Sequence, residues 1–456
     1  MPVVVLLADG VRPDTLAAAM DAGALPALAR LRDEGGLHTI TSVFPSVTGP
    51  AYAPFLMGRF PAPVGLPGIR WFDRARTACR APDYTRSYVG HQMPRVDTDV
   101  DAHAPTIFEL VPSSAAALSV ITRGLAPRNR LGGLDLRSAV RAARTHFSGD
   151  VRGWLTIDSE VADTVVRRLR DAHPDYAFAA FTGVDKASHA RGHDAPLVVD
   201  ALRIVDDAAA RIRADAERDG RWRDLHLWVV SDHGHSPVRQ HEDLQRRVEE
   251  LGFRVMAHPW VFTLHPDVAV MVSGNAMAHL YVDLQHRAPK GWGALRSQWT
   301  PLLDALLRLP SVDLALLPLR GAGCEVRTRD RGRAIVARRG DRYRYEPVTG
   351  DPLGLGTSAF EADANEAHAR ASATDYPDSL VQVAHLAEAP RSGDIILSAA
   401  RDWDLRARYE PIPHVSSHGA LHREHMLVPL LVNRPPVSRP RRTVDVMPSA
   451  LRALGL

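Results

Sequence analysis

Short apolar runs alternate along this chain with longer stretches in which apolar residues recur at helical spacing. The apolar runs that predict β-strands are residues 3–9, 119–122, 176–183, 225–232, 278–284, 394–399 and 425–432. Their nearly continuous apolar character is typical of strands that are buried on both faces of a sheet. The amphipathic stretches that predict helices are residues 158–172, 195–217, 378–389 and 444–456.

Alternation of strands and helices along a chain is typical of an α/β fold. We therefore expect a three-layer α/β/α sandwich with a mostly parallel central sheet. Residues 321–375 depart from the alternation, because they are rich in arginine, glycine and aspartate and contain one hairpin pattern at 333–348. We expect a single domain over residues 1–456, with 321–375 as a small inserted cap region and 75–105 as a loop.

Composition narrows the class of protein. The chain has 456 residues, of which 45% are hydrophobic and 24% charged, as in ordinary globular proteins. Its net charge of +3 is spread over mixed basic and acidic residues, so we expect no binding to a nucleic-acid polymer. Cys79 and Cys324 are too few for a disulfide framework, and we expect both to be inert. The sequence has neither a span-length apolar run nor a signal-peptide pattern, which favours a cytoplasmic protein.

Polar side chains follow or precede four of the predicted strands. These residues are Asp9, Asp185 with His189, Asp232 with His233, and His418. Because ligands in α/β sheets bind at the carboxyl ends of the strands, these side chains point to one shared site. Each alone has a simpler explanation, since a strand-end aspartate is commonly a helix cap or turn residue. The combination of all four is what indicates a functional site.

Three aspartates in one site would repel one another and raise their pKa values unless a cation lay among them. Aspartate and neutral histidine are suitable ligands for zinc. The strand-end residues therefore predict a site for divalent metal ions.

A hydroxyl group suited to nucleophilic attack occurs in the segment 42–58. Thr48 precedes Gly49, Pro50 and residues that are fit for a helix. The N-terminus of a helix attracts anions, so this hydroxyl would face a bound phosphate. The alternative is that Thr48 merely caps the helix.

Taken together, these motifs resemble the alkaline phosphatase superfamily, and in particular its type I phosphodiesterase / nucleotide pyrophosphatase branch. The matching segments are "LLADGVRPD", "FPSVTGPAYAPFLMGRFP", "DKASH", "VVSDHG" and "SSHGALHREHM". The resemblance implies two divalent metal ions, zinc or alternatively manganese, and a threonine nucleophile. It assigns Asp9, Thr48, Asp232 and His233 to one metal. It assigns Asp185, His189 and His418 to the other.

The implied activity is the hydrolysis of phosphate diesters or pyrophosphates through a covalent phosphothreonine at Thr48. Other small-molecule phosphorus chemistry uses the same ligands, so a phosphomonoesterase, a phosphonate hydrolase and a phosphoglycerate-mutase-like phosphotransferase stay open. A formylglycine-dependent sulfatase is disfavoured, because position 48 is threonine and not cysteine. The alternative outside the enzymes is an inactive metal-binding module.

The sequence departs from the family near the nucleophile. Gly68 and Ile69 stand where nucleotide pyrophosphatases usually have an asparagine, and "PAYA" replaces their "PNHY". Arg70 and Lys186 are the candidates to contact a substrate phosphate in its place. Five further histidines lie close to the motifs, and we expect each to support a ligand or to be merely structural, while ligation by His422 or His414 stays open. These five are His193, His235, His414, His422 and His425.

Overall fold

The computed structural model describes residues 1–76, 85–88, 92–132, 136–259, 261–405, 411–412, 414–436 and 438–456, without the side chains of residues 76 and 136–139. Cys79 and part of the predicted loop 75–105 lie outside the described residues.

The strands of the described chain are numbered in chain order. They are β1 (Val3–Ala8), β2 (Leu37–Thr41), β3 (Arg70–Phe72), β4 (Thr85–Ser87), β5 (Ser114–Ala117), β6 (Arg130–Leu131), β7 (Tyr176–Phe181), β8 (His226–Val230), β9 (Ser236–His241), β10 (Val255–Ala257), β11 (Val268–Ser273), β12 (Met277–Tyr281), β13 (Val312–Pro318), β14 (Cys324–Arg327), β15 (Gly332–Arg339), β16 (Arg342–Gly350), β17 (Phe360–Asp363), β18 (Ile395–Ala399), β19 (Asp402–Asp404), β20 (Ser416–Ser417) and β21 (Leu427–Val432).

The α-helices are numbered in the same way. They are α1 (Pro13–Asp21), α2 (Pro26–Gly35), α3 (Ala53–Met57), α4 (Val96–Asp99), α5 (Ile107–Leu110), α6 (Leu136–Phe147), α7 (Val151–Ala172), α8 (Gly183–Arg191), α9 (Pro196–Arg218), α10 (Leu244–Glu250), α11 (Trp292–Leu307), α12 (Ala364–Ala371), α13 (Ser379–Glu388), α14 (Arg423–Met426) and α15 (Val446–Leu454).

A seven-stranded sheet forms the centre of the fold, in the order β2-β21-β8-β1-β7-β5-β6. The strands from β8 to β6 run parallel, while β21 and β2 are antiparallel to their neighbours at one edge. Alternate residues of β1 enter two hydrophobic cores, one on each face of the sheet. Helices α7, α8 and α9 cover one face and α3, α5 and α15 the other, which confirms the predicted α/β/α sandwich.

One predicted strand is wrong. Residues 119–122 are not a strand, and the strand of this region is β5. Its alanine-rich sequence has low strand propensity, yet it pairs in parallel with β7, so tertiary packing overrides the local preference. Leu118 has a positive φ of 49°, which ends the strand, and Thr122 is instead held by hydrogen bonds to Asp97.

A second, nine-stranded sheet carries most of the C-terminal half, in the order β10-β11-β12-β18-β13-β14-β15-β16-β17. Its pairs are antiparallel except β10 with β11, so the sheets are only partly parallel when both are considered. The hairpin predicted at 333–348 is confirmed as β15 and β16. Residues 321–375 extend this second sheet at one edge, and their treatment as an inserted unit of a single domain stays a prediction.

The four predicted helices are confirmed as α7, α9, α13 and α15. Helix α7 begins at Val151, earlier than predicted, and Asp150 caps it by accepting a hydrogen bond from the backbone N–H of Gly153. Within the described parts of the chain, none of the helices combines the length and apolarity that crossing a bilayer requires.

Candidate active site

The carboxyl ends of β1 and β8 bring two aspartates together. Asp9 directly follows β1, and Asp232 follows the neighbouring parallel strand β8, so both lie at the same edge of the sheet. The backbone N–H of Gly10 donates to Oδ1 of Asp232 at 3.3 Å. Gly10 has a positive φ of 77°, and a Cβ there would lie 2.8 Å from Nε2 of His235. Glycine is therefore required at this turn by both conformation and space.

Helix α8 presents the second pair of predicted residues. It begins two residues after β7, and Asp185 and His189 lie one helical turn apart, with Nε2 of His189 3.2 Å from Oδ1 of Asp185. Asp158 of α7 accepts hydrogen bonds from the backbone N–H groups of Thr182 and Gly183, at 3.0 and 2.7 Å, and so fixes the start of α8. Burial raises the pKa of Asp158 to about 7.

Two histidines join the two pairs of residues. His418 follows β20, and its ring stacks on His233 with the centroids 3.6 Å apart. Nε2 of His418 lies 3.5 Å from Oδ1 of Asp185, while Nε2 of His233 lies 3.2 Å from Oδ1 of Asp9 and 3.5 Å from Oδ2 of Asp232. The two rings thus lie face to face, with Nε2 of His418 near Asp185 and Nε2 of His233 near Asp9 and Asp232.

Thr48 lies against the Asp9 side of this cluster. Its Oγ1 is 3.1 Å from Oδ1 of Asp9 and 3.1 Å from Nε2 of His233. The expected helix does not begin directly after Thr48, because Gly49 has a φ of 92° and a 3₁₀ turn over Pro50–Tyr52 precedes the five-residue α3. Contact with Asp9 and His233, and not a helix N-terminus, therefore orients the hydroxyl group.

The charge of Asp232 is poorly compensated by the protein itself. Burial and the neighbouring Asp9 hold the pKa of Asp232 well above its usual range. Burial opposes the charged form of His233, but Asp232 and Asp9 outweigh it and raise the pKa of that ring to about 9. Oδ2 of Asp232 is buried and accepts no hydrogen bond from the described residues. Asp185 differs from the expectation of raised pKa values, because burial opposes its charged form but Lys186 and His189 outweigh burial and hold its pKa well below the usual range.

Metal ions fit this donor set. Ligand atoms of Asp185, His233, His235 and His418 lie within 4.8 Å of one another, as do those of Asp9, Asp232 and His233. All are buried, and carboxylate oxygen with imidazole nitrogen is the donor chemistry that zinc takes. A buried cluster of this kind supports metal binding, because a cation removes the repulsion among three carboxylates.

Sequence reasoning named His235 as a neighbour of the motifs but not as a ligand, and the structure places it inside the cluster. Its ring is fully buried, Nε2 lies 3.0 Å from Oδ1 of Asp185, and Nδ1 lies 3.1 Å from Oγ of Ser416. Burial lowers the pKa of His235 to about 3, so the ring is neutral. The available signal was its position two residues beyond His233, on the same turn that leaves β8.

The other histidines near the motifs contact the surroundings of the cluster. His414 stacks on His189 with the centroids 4.2 Å apart. Nδ1 of His422 pairs with Glu424 at 2.9 Å, and Nε2 of His425 pairs with Oγ of Ser236 at 2.8 Å. Nδ1 of His193 lies 3.9 Å from Asp194.

The two cationic residues proposed to contact substrate lie in different surroundings. Nζ of Lys186 is 2.7 Å from Oδ2 of Asp185, at the edge of the cluster. The guanidinium of Arg70 donates to the carbonyl oxygen of Val272 at 3.2 Å, so this side chain is held on the second sheet. Lys186 is thus brought to the cluster, whereas Arg70 is tied to β11.

The sandwich fold and the buried aspartate–histidine cluster beside a threonine suit phosphoryl chemistry, and the family match identifies a hydrolase that acts on phosphoester or pyrophosphate bonds. The chain belongs to the family of type I phosphodiesterases / nucleotide pyrophosphatases, whose match covers residues 3–421. A search among curated proteins finds no match.

Solved structures share the fold at low sequence identity. Phosphonoacetate hydrolase from Sinorhizobium meliloti 1021, in complex with phosphonoformate, is similar with a TM-score of 0.60 at 17% identity, covering 100% of this chain and 96% of that one. Human ectonucleotide pyrophosphatase / phosphodiesterase 5 is similar with a TM-score of 0.59 at 13% identity, covering 100% and 95%. An inactive variant of the murine counterpart, in complex with AMP, has a TM-score of 0.58 at 14% identity over the same shares.

Proposed function

We propose that the protein hydrolyses phosphate diesters or pyrophosphates through a covalent intermediate on Thr48. The observation that carries this proposal is the position of the Thr48 hydroxyl, 3.1 Å from both Asp9 and His233 and next to a cluster that suits metal ions. Membership of the phosphodiesterase family supports the reaction class.

Two groups of residues would hold two divalent ions, which we propose to be zinc. Asp9, Thr48, Asp232 and His233 form one group. Asp185, His189 and His418 form the other. Ions bound there would lower the pKa of the Thr48 hydroxyl and offset the negative charge of the phosphoryl oxygens.

The chain's own groups account for the bonds made and broken. Thr48 Oγ1 loses its proton, which Asp9 is placed to accept, and attacks phosphorus in line with the leaving oxygen. The bond to the leaving oxygen breaks, and that oxygen takes a proton from solvent as it departs. Water then attacks the phosphorus of the adduct and loses a proton to solvent, while the bond to Thr48 Oγ1 breaks and Oγ1 regains the proton held by Asp9. Positioning and charge stabilisation supply most of the lowering of the barrier.

Lys186 is the proposed contact for a substrate oxygen. Its ammonium group is part-exposed and bound to Asp185 at 2.7 Å, so it lies where a phosphoryl group would meet the cluster. We retain Arg70 as a weaker proposal, since its guanidinium is held by Val272. Small phosphate esters are the proposed substrates, and the cytoplasm is the proposed location.

Phosphonate hydrolysis is the second candidate. Two structures of phosphonoacetate hydrolase match the whole chain, in complex with phosphonoformate and with phosphonoacetate. Gly68 and Ile69 also replace the asparagine that is usual in nucleotide pyrophosphatases. The missing asparagine weakens the case for a nucleotide as the substrate, whereas the similarity in fold to ectonucleotide pyrophosphatase / phosphodiesterase 5 is nearly as high as that to phosphonoacetate hydrolase.

A substrate panel tests the proposal. Purified protein loaded with zinc, and separately with manganese, is assayed on an aryl diester, an aryl monoester, a phosphonate and an aryl sulfate. We expect the diester to be cleaved fastest and all turnover to stop on chelation. Cleavage of the phosphonate alone would favour the second candidate. Absence of turnover with every substrate and both metals would refute the proposed enzyme class.

A further inference from the structure

Three imidazole rings converge on one carboxylate oxygen. Nε2 atoms of His235, His189 and His418 lie 3.0, 3.2 and 3.5 Å from Oδ1 of Asp185. The other oxygen of this carboxylate, Oδ2, is occupied by Lys186 at 2.7 Å. Three ring nitrogens therefore share a single acceptor, which cannot be explained as three ordinary hydrogen bonds.

The tautomers of two of these rings follow from their other nitrogen. Nδ1 of His189 lies 2.8 Å from the carbonyl oxygen of Ser416, and Nδ1 of His418 lies 2.9 Å from that of Ser46. A carbonyl oxygen only accepts, so Nδ1 carries the proton in each ring. In the neutral ring Nε2 then presents a lone pair toward a carboxylate oxygen, and a cation between them makes the arrangement favourable.

His235 is also held at its Nδ1 atom, but by a hydroxyl group, which can donate or accept. Its Nδ1 lies 3.1 Å from Oγ of Ser416, the residue whose carbonyl oxygen holds His189. Its plane makes angles of 81° with His189 and 64° with His418, at centroid distances of 4.8 and 5.1 Å. The rings thus approach from separate directions and do not stack. The space beside Nε2 of His235 depends on Gly10, whose hypothetical Cβ would intrude to 2.8 Å.

We propose that His235 is a third imidazole ligand of the metal at Asp185, so that this ion is held by Asp185, His189, His235 and His418. The inference rests on the metal site of the proposed function. Ligand atoms of Asp185, His235 and His418 lie within 4.8 Å of one another, and four protein donors are the number that structural zinc sites use. The Asp185 ion is then the first to bind and the last to leave. The ion beside Thr48 is the more exchangeable one.

Two substitutions distinguish ligation from simple hydrogen bonding. His235→Ala removes the ring. His235→Gln retains an amide N–H that can donate to Asp185, but it removes the imidazole nitrogen. If His235 only donated a hydrogen bond to Asp185, glutamine would preserve metal affinity. If His235 is a ligand, both variants lose it. His226→Gln is the matched control, since His226 is also buried but lies at the opposite end of the same strand, β8.

Zinc affinity is measured by competition with a chromophoric chelator on the full-length protein. We expect both His235 variants to weaken binding of the first zinc equivalent by more than about 100-fold, beyond the 10- to 100-fold typical of groups that only support a ligand. The control variant should bind as the wild type does. A glutamine variant within about threefold of wild type would overturn the proposal.

Cobalt-substituted protein provides a second readout, in which the number of resonances in the wild type needs no variant to fold and the variant assigns one of them. Each histidine bound through Nε2 contributes one exchangeable, strongly shifted Nδ1–H proton resonance. We expect such resonances from His189, His233, His235 and His418 in the wild type, with one lost in His235→Gln. An unchanged set in that variant would refute ligation by His235. Neither measurement uses turnover, so an inactive protein with this set of resonances would refute the proposed function alone, and an active one without the His235 resonance would refute this inference alone.

Discussion

The hydroxyl group of Tyr52 offers a minimal perturbation of the candidate site. Tyr52 is fully buried, and its hydroxyl donates to Oδ2 of Asp9 at 3.2 Å. Burial and the charge of Asp9 raise the pKa of this tyrosine well above its usual range, so the hydroxyl stays protonated and can only donate to the carboxylate. Tyr52→Phe therefore removes one hydrogen bond and leaves the packing intact.

The structure indicates the size of the effect. A hydrogen bond to a charged group contributes about 1.5–3 kcal/mol. Without it, Oδ2 of Asp9 retains Thr48 Oγ1 at 3.4 Å, a longer contact that Thr48 shares with Oδ1 at 3.1 Å. We expect the carboxylate to be less firmly oriented, with zinc affinity at the Thr48 side and kcat/KM each falling about 10- to 100-fold.

The assay compares Tyr52→Phe with Tyr281→Phe. Tyr281 is also fully buried, but its hydroxyl donates to the carbonyl oxygen of Arg391 at 2.7 Å on the second sheet. Both variants should lose some thermal stability, and only Tyr52→Phe should lose zinc affinity in chelator competition. Equal zinc affinity in the two variants would refute the role assigned to Tyr52.

Four further predictions address the nucleophile, the metals, the substrate and the pH dependence. Thr48→Ala should lower kcat/KM by roughly 10⁴-fold or more with its metal content intact, while Thr48→Ser keeps measurable turnover; activity of the alanine variant within about tenfold of wild type would exclude the nucleophilic role. In the absence of metal, Asp232→Asn should unfold at a higher temperature than wild type, because burial and Asp9 disfavour the charged carboxylate. The variant should nevertheless bind less metal by elemental analysis. Wild-type protein that is active without stoichiometric transition metal would contradict the assignment of a metal site. The diester bis(p-nitrophenyl) phosphate should have a higher kcat/KM than the monoester p-nitrophenyl phosphate. A tenfold advantage of the monoester, about 1.4 kcal/mol, would reverse the assignment as a diesterase and make Arg70→Ala the next variant to test. His385→Gln should remove an acid-sensitive contribution to stability, because burial lowers the pKa of His385 in the folded state to about 3. The folded state then binds fewer protons than the unfolded state, so the stability of the wild type falls as the pH drops below about 6.5, by about 1.4 kcal/mol per pH unit. Equal pH slopes in urea unfolding of variant and wild type would contradict this prediction.

The sequence predicts the candidate site through the geometry of parallel strands. Asp9 and Asp232 follow neighbouring parallel strands, so their closeness at one edge of the sheet could be predicted without knowing how any side chain packs. His418 follows a two-residue strand far along the chain, and the sequence analysis grouped it with the others because it precedes the predicted strand at 425–432. His235 was named only as a neighbour of the motifs, because one histidine among 21, two residues beyond His233, does not by itself indicate a ligand.

The pairing of strands in the second sheet could not be predicted from the sequence. Strands β12 and β18 were expected from their apolar runs, but continuous apolar character does not separate an antiparallel pair from a parallel one. A strand was predicted at residues 119–122 and not at β5, because the alanines of β5 have little strand propensity. In both cases the partner strand, which local sequence does not specify, determines the outcome.

The central claim is that Thr48 carries the phosphoryl group between substrate and water. Hydrolysis of a P-chiral phosphorothioate diester in isotopically labelled water tests this claim most directly, because each displacement at phosphorus inverts its configuration. Two displacements, by Thr48 and then by water, predict a product with retained configuration. A product with inverted configuration would show direct attack by water and contradict the covalent mechanism.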